Sequence, residues 1–268
     1  MLSKAYAAVQ NLKFSTDINP AKCKTKTLAF LKTNRVLPNL TLCGNPLPWT
    51  DKCKHLGTII TNRIDGCEED MRVKNAKYIG KNIELNQEFF FAHPETKIKV
   101  NQIYNSSYYS SPLCDLFGNG ARKLESSYNR SVKIMLGLPY NTHRCLIEPL
   151  TDIKHVKKLL ITRFLGFMEN IKKNKKEALK MLMNTAMEDV RSVTGKNYRE
   201  IMLLTGKTSV YDVTKMDADK IEYFNMEKKD LWKVDIIKEI IDVKSKIANI
   251  DNFNTEELET VLTYLCTS

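Results

Sequence analysis

The sequence predicts an α+β fold that is mostly α, with a small antiparallel β-sheet near the N-terminus followed by a helical bundle. Two observations carry this. Short β-rich segments bounded by turn residues cluster before Gly66, and from Gly66 onward apolar residues recur at helical spacing almost to the end of the chain. With 268 residues, 43% of them hydrophobic, the chain is long enough to bury one large core or two small ones.

Taken in order, residues 1–15 fit a short helix that stops at the turn-forming pair Asn19-Pro20. Thr25 to Leu31 (TKTLAFL) is β-rich, and Leu40 to Cys43 (LTLC) runs into Gly44-Asn45-Pro46, a strong turn. His55 to Thr61 (HLGTIIT) reads as a third strand, in which Gly57 marks either a bulge or a close backbone approach. Glu68-Glu69-Asp70 then places negative charge at a helix start, where it suits the macrodipole, and Val73, Ala76, Ile79 and Ile83 follow at helical spacing. Leu124, Tyr128, Val132 and Met135 mark a second helix ended by Gly137 and Pro139. The clearest stripe runs through Ile153, Val156, Leu160, Phe164, Met168 and Ile171, and predicts a core helix. After the lysines at 172, 173, 175 and 176, helices are expected over Glu177 to Val193, Tyr198 to Leu204, Ala218 to Glu227, around Leu231 to Ile247, and over Thr255 to Leu265 with Thr255 as cap. This divides the chain into residues 1–65, 66–150 and 151–268.

The charge is unevenly placed. Of the net +11, the segment up to Asp65 carries +7, from ten Lys and Arg (among them Lys22, Lys24, Lys26, Lys52 and Lys54) against Asp17, Asp51 and Asp65. Such a patch attracts phosphates, whereas the remaining charges mix in sign and read as solvated helical faces. Apolar runs such as Lys158 to Met168 are broken by Arg163 and fall short of the ~20 residues a membrane span needs. The opening residues lack the apolar core of a secretory signal, and seven widely spaced cysteines suit a reducing compartment; an intracellular protein is expected. Cys43, Cys53, His55 and Cys67 are weighed as a metal set, but they lack the paired spacing of zinc ligands and read better as ordinary thiols.

Catalytic patterns are scarce. Two-metal chemistry needs adjacent carboxylates, and both Glu68-Glu69-Asp70 and Asp217-Ala218-Asp219 read better as helix starts; no Tyr-x-Asp-Asp occurs. His143 and Cys145 stand two apart, a spacing that points side chains in different directions on a helix, and His93 and His155 read as isolated. Gly206-Lys207-Thr208 lacks the upstream glycine of a phosphate loop.

One ordered string rises above this background: Ile18-Asn19-Pro20-Ala21-Lys22-Cys23-Lys24, then Leu42-Cys43-Gly44-Asn45-Pro46-Leu47-Pro48-Trp49, then His55-Leu56-Gly57-Thr58-Ile59-Ile60. It resembles the stretch after the Tyr/Phe-x-Asp-Asp motif of LINE-type (non-LTR retrotransposon) reverse transcriptases, where an Asn-x-x-Lys segment (motif D) leads through a β-hairpin to a Tyr-Leu-Gly strand (motif E, the primer grip). Leu138-Pro139-Tyr140-Asn141-Thr142-His143-Arg144 and Arg163-Phe164-Leu165-Gly166-Phe167 are similar to features downstream of the thumb in the same family. The resemblance spans Ile18 to Phe167 in family order. It implies that Lys22 is the motif D lysine, near the incoming nucleotide and able to protonate the leaving pyrophosphate. It also implies that His55, in place of the usual aromatic, holds the primer end with Leu56 and Gly57; Lys24, Lys26 and Lys54, from the basic patch of the same segment, are expected to add nucleic-acid contacts.

In that family the catalytic aspartates precede motif D, and here only about seventeen residues do. The expectation is therefore the C-terminal part of an RNA-directed DNA polymerase that binds a primer–template duplex of RNA or DNA but does not polymerise by itself. No cofactor is expected for this chain alone, the Mg²⁺ belonging to the full-length family enzyme. The alternative is a host-recruited helical module that binds nucleic acid or a protein partner. A sheet normally backed by a palm is also expected to expose Leu28, Phe30, Leu42 or Ile60 and to promote self-association.

Overall fold

The computed structural model describes residues 27–29, 38–42, 45–62, 67–105, 108–205, 231–247 and 255–267. Two compact units are present, Met1–Asp70 and Met71–Ser268. The α+β architecture, mostly α, is as the sequence predicts.

Among the described residues the first unit holds two antiparallel hairpins, with the LTLC and HLGTIIT segments in different ones. Strands β1 (Leu40–Leu42) and β2 (Asn45–Leu47) pair with Leu40 opposite Leu47. Strands β3 (Lys52–His55) and β4 (Thr58–Thr61) pair with Lys52 opposite Thr61 and His55 opposite Thr58. Of the TKTLAFL segment residues 27–29 are described, and Thr27 forms a parallel bridge to Trp49, in which Thr27 N–H donates to the Pro48 carbonyl (3.2 Å) and Thr50 N–H donates back to Thr27 (3.0 Å). Trp49 ties in the preceding chain by donating Nε1–H to the Pro38 carbonyl at 3.0 Å.

Helices fill the second unit. Helix α1 (Glu68–Glu88) opens on its three acids, in the first unit, and runs on into the second. Helix α2 (Pro94–Asn105) packs against α3 (Asn119–Leu136), whose buried Leu124, Tyr128, Val132 and Met135 are spaced as an amphipathic stripe. Gly137 ends α3 at φ 65°, a left-handed cap that glycine adopts without a Cβ penalty. Short α4 (Ile147–Thr151) leads to the central helix α5 (Val156–Lys173), whose buried face is Val156, Leu160, Ile161, Phe164, Leu165, Met168 and Ile171. That face packs against α3, against the 3₁₀ turn at Ser111–Leu113 and against α6 (Glu177–Glu188). Phe164 and Ile161 are wholly buried at its middle.

Helix α7 (Val193–Thr205) folds back on α6, and Gly195 sits so close to the carbonyl oxygens of Met187 and Asp189 that a Cβ there would collide with backbone. Helix α7 starts earlier than Tyr198 and α6 ends at Glu188, where the Asp189 carboxylate accepts the Arg191 N–H (2.9 Å) and forms a turn. Helices α8 (Leu231–Ile247) and α9 (Thr255–Thr267) pair with each other, and α8 also packs on α4. The helices expected over residues 1–15 and 218–227 lie outside the described residues. Among the described residues no helix is long and apolar enough to cross a membrane.

Candidate nucleic-acid interface

Four of the seven residues singled out from sequence, Lys54, His55, Leu56 and Gly57, fall together at the tip of the β3–β4 hairpin, whereas Lys22, Lys24 and Lys26 lie outside the described residues. The segment expected as one strand is thus a turn between two strands. Leu56 and Gly57 form a two-residue loop with φ values of 47° and 85°, the doubly positive pattern of a type I′ turn. This explains Gly57 directly. A Cβ built there would meet nothing within 4 Å, so the glycine answers a backbone angle and not a shortage of room.

Leu56 is the unusual member. A branched, bulky side chain in the left-handed region costs about 1–2 kcal/mol, and here it is offset by no burial, since Leu56 is 76% exposed. Replacing it with asparagine, which tolerates that region, is expected to raise stability by about 1 kcal/mol, seen as a higher midpoint in urea unfolding of the first unit. An unchanged or lower midpoint would show that the leucine is not strained.

Pairing also sets what each face of the hairpin carries. Lys52 and Lys54 share a face with Ile59 and Thr61, and Cys53 and His55 share the other with Thr58 and Ile60. The base is anchored. Buried Asp70, in the first turn of α1, accepts the Ile59 N–H at 3.0 Å, and Glu69 lies 3.5 Å from Lys52 Nζ. The acids that looked like a possible metal pair are therefore engaged in holding the hairpin. Asn62 adds a 3.0 Å bond to the Asp51 carboxylate across the hairpin's open end. What remains at the tip is one exposed lysine, one exposed imidazole and a protruding aliphatic group.

Comparison with protein-family models, curated proteins and solved structures finds no match.

Of the apolar groups expected on the outer sheet face, Ile60 is exposed (36%) and Leu28 is half-buried; Phe30 and the Leu42 side chain lie outside the described residues. Among the described residues no group of three or more His, Cys, Asp or Glu is placed to hold a metal ion; Cys43 of the weighed set lies outside them. Described cysteines 53, 67, 114, 145 and 266 carry thiols.

Sequence reading missed a buried polar cluster in the second unit, around the start of α5. His155, read as an isolated residue on a basic face, is 1% exposed and caps that helix. Its Nδ1 accepts the Lys157 N–H (3.3 Å), which leaves the proton on Nε2 to be donated to Asn129 Oδ1 (3.0 Å), and its ring stands edge-on to Tyr128. A second proton would have to displace the cap. Burial, and then the charges of Arg144, Lys158 and Lys157, push its pKa down to about 4. Glu125 Oε1 lies 4.0 Å from Nε2 and, with the imidazole neutral at pH 7, forms no ion pair with it there.

The two lysines that follow are buried as well. Lys158 pairs with Glu148 at 2.9 Å. Lys157 donates to the Leu116 carbonyl and lies 3.9 Å from the Phe117 ring centroid. Burial brings its pKa down to about 8. The cluster joins α3, α5 and the 111–117 segment, and its donors are directed at protein acceptors, which makes it a structural assembly.

Proposed function

We propose that this chain is the C-terminal part of a LINE-type reverse transcriptase and that, alone, it binds a primer–template duplex without extending it. The observation that carries the reading is the anchored hairpin with Lys54, His55 and a strained, exposed Leu56 at its tip. Left-handed conformations of bulky residues persist where surroundings or function require them. An aliphatic wedge beside cationic groups suits a nucleic-acid end, the leucine covering a terminal base or sugar while the lysine meets a phosphate. Lys22, Lys24 and Lys26 extend that charge in the sequence, and the ordered resemblance from Ile18 to Phe167 supplies the family. The same reading assigns the protein to the cytoplasm or nucleus.

The test is fluorescence anisotropy with a labelled RNA–DNA duplex over a salt series. Wild-type affinity is expected to fall steeply with salt. A variant with Lys22, Lys24 and Lys54 all changed to alanine should lose roughly 0.7–0.9 of log–log slope for each phosphate contact removed. Leu56→Asn, though more stable, should bind more weakly at every salt concentration. No binding at low salt, or binding indifferent to all four changes, would leave ancestry without a present activity. The alternative of a recruited helical module predicts binding that survives these changes and maps to the second unit.

A further inference from the structure

Helix α1 buries one face, through Met71, Tyr78 and Asn82, and carries apolar residues on the other. On that outer face Ala76, Ile79, Gly80 and Ile83 follow at three- and four-residue spacing, so they adjoin one another, and all four are exposed, Ile83 at 55%. Isoleucines on a helix ordinarily mark the side that packs. The glycine points the same way. Glycine inside a helix weakens it relative to alanine, yet nothing in the chain requires one at 80, since a Cβ there would meet nothing within 4 Å. The room that Gly80 keeps is at the outer surface, beside the two isoleucines.

Charge selects what fits this face. Lys77 and Glu84 line one flank of it, next to Gly80, and both are exposed. They stand two turns apart, about 10 Å along the axis, too far to pair with each other. The flank is therefore positive toward the start of the helix and negative toward its end, and it complements itself when turned end over end. A two-fold axis beside Gly80 sets Lys77 against the partner's Glu84, and symmetry repeats the contact. A parallel pair would instead bring like charges level. A uniformly anionic surface, such as a nucleic acid or a lipid headgroup layer, would meet Glu84 with the wrong sign.

We infer that two copies of this chain pack α1 against α1 in antiparallel fashion, with Ile79 and Ile83 meeting across the axis, Gly80 admitting the close approach, and Lys77 with the partner's Glu84 fixing the direction. Residues 76–84 lie within the second unit. The surface is thus distinct from the sheet face expected to promote self-association and from the hairpin that takes a duplex end, and the inference rests on neither.

The full chain, freed of nucleic acid by nuclease, is followed by sedimentation equilibrium from about 1 to 100 µM. One helix pair makes a small interface, so a reversible dimer with a Kd on the order of 10 µM is expected. Lys77→Glu and Glu84→Lys each bring like charges together twice and should each weaken the dimer about tenfold. Mixed in equal amounts, the two variants should recover wild-type affinity as a heterodimer, in which both contacts are attractive again. No change of folding within a single chain produces that recovery. Gly80→Gln, better suited to a helix, should leave Tm unchanged or higher while abolishing association. A chain that stays monomeric at the highest concentration, a dimer indifferent to all three changes, or single variants that weaken it without recovery on mixing would overturn the inference.

Discussion

Replacing Asn197 with alanine is expected to lower stability by roughly 3 kcal/mol, although Asn197 is a single polar residue on a helix face. Its side chain acts as a piece of backbone. Oδ1 accepts the Leu116 N–H at 2.9 Å and Nδ2 donates to the Cys114 carbonyl at 2.7 Å, which binds α7 to a segment more than eighty residues away. Asn197, Cys114 and Leu116 are all fully buried. Alanine would take the acceptor from one buried amide and a donor from one buried carbonyl, at about 1–3 kcal/mol each. For a unit of this size that is a fall in Tm of roughly 6–12 °C, measurable by calorimetry. A variant melting within a degree or two of wild type would mean that water replaces the amide and that the site is not dry.

The second large effect is a loss of stability in mild acid, centred on His155. Its folded pKa of about 4 lies below the ordinary value of 6.5, so between these two pH values the unfolded chain takes up a proton that the folded chain refuses. Stability conferred by the neutral imidazole is complete above pH 6.5 and drains away as the pH falls toward 4, by about 3 kcal/mol in all. The measurement is urea unfolding from pH 7 to 4 for wild type and for His155→Asn, which keeps a side-chain acceptor for the helix start but does not titrate. The variant's curve should be flatter over that window. Parallel curves would show that His155 protonates as readily in the folded protein as out of it.

These two residues mark where sequence reading stops. The stripe through Leu160, Phe164 and Met168 was legible because one helix face repeats often enough to declare its period, and the end of α3 was legible because Gly137 has few other uses there. The hairpin tip was not legible as a turn. Its first central residue is leucine, where asparagine would have announced a type I′ loop, and the apolar Leu56 joined Ile59 and Ile60 to imitate one strand. His155, Lys157 and Lys158 read as a solvated basic face because charge is the usual mark of exposure; partners that keep them buried, such as Asn129, the Leu116 carbonyl and Glu148, come from distant parts of the chain. Asn197 gave no signal at all, since an asparagine in a helix is ordinarily a surface residue. Of the candidate site, sequence order brought His55, Leu56 and Gly57 together, while strain at the leucine and the anchoring by Asp70 needed coordinates.

The link from the last helix back to the middle of the chain bears on how the protein is made. Near the C-terminal end of α9 the Cys266 carbonyl accepts the His143 N–H at 3.1 Å, and α9's neighbour α8 packs on α4. At a synthesis rate of about 5–20 residues per second, the ribosome delivers Cys266 on the order of 6–25 s after His143. The surface of α4 that α8 covers waits open for a shorter time, on the order of 5–19 s from Thr151 to Ile247 at the same rate. The second unit is therefore completed only after α9 has been synthesised, and until then the segment around His143 lacks the partner that the folded unit gives it.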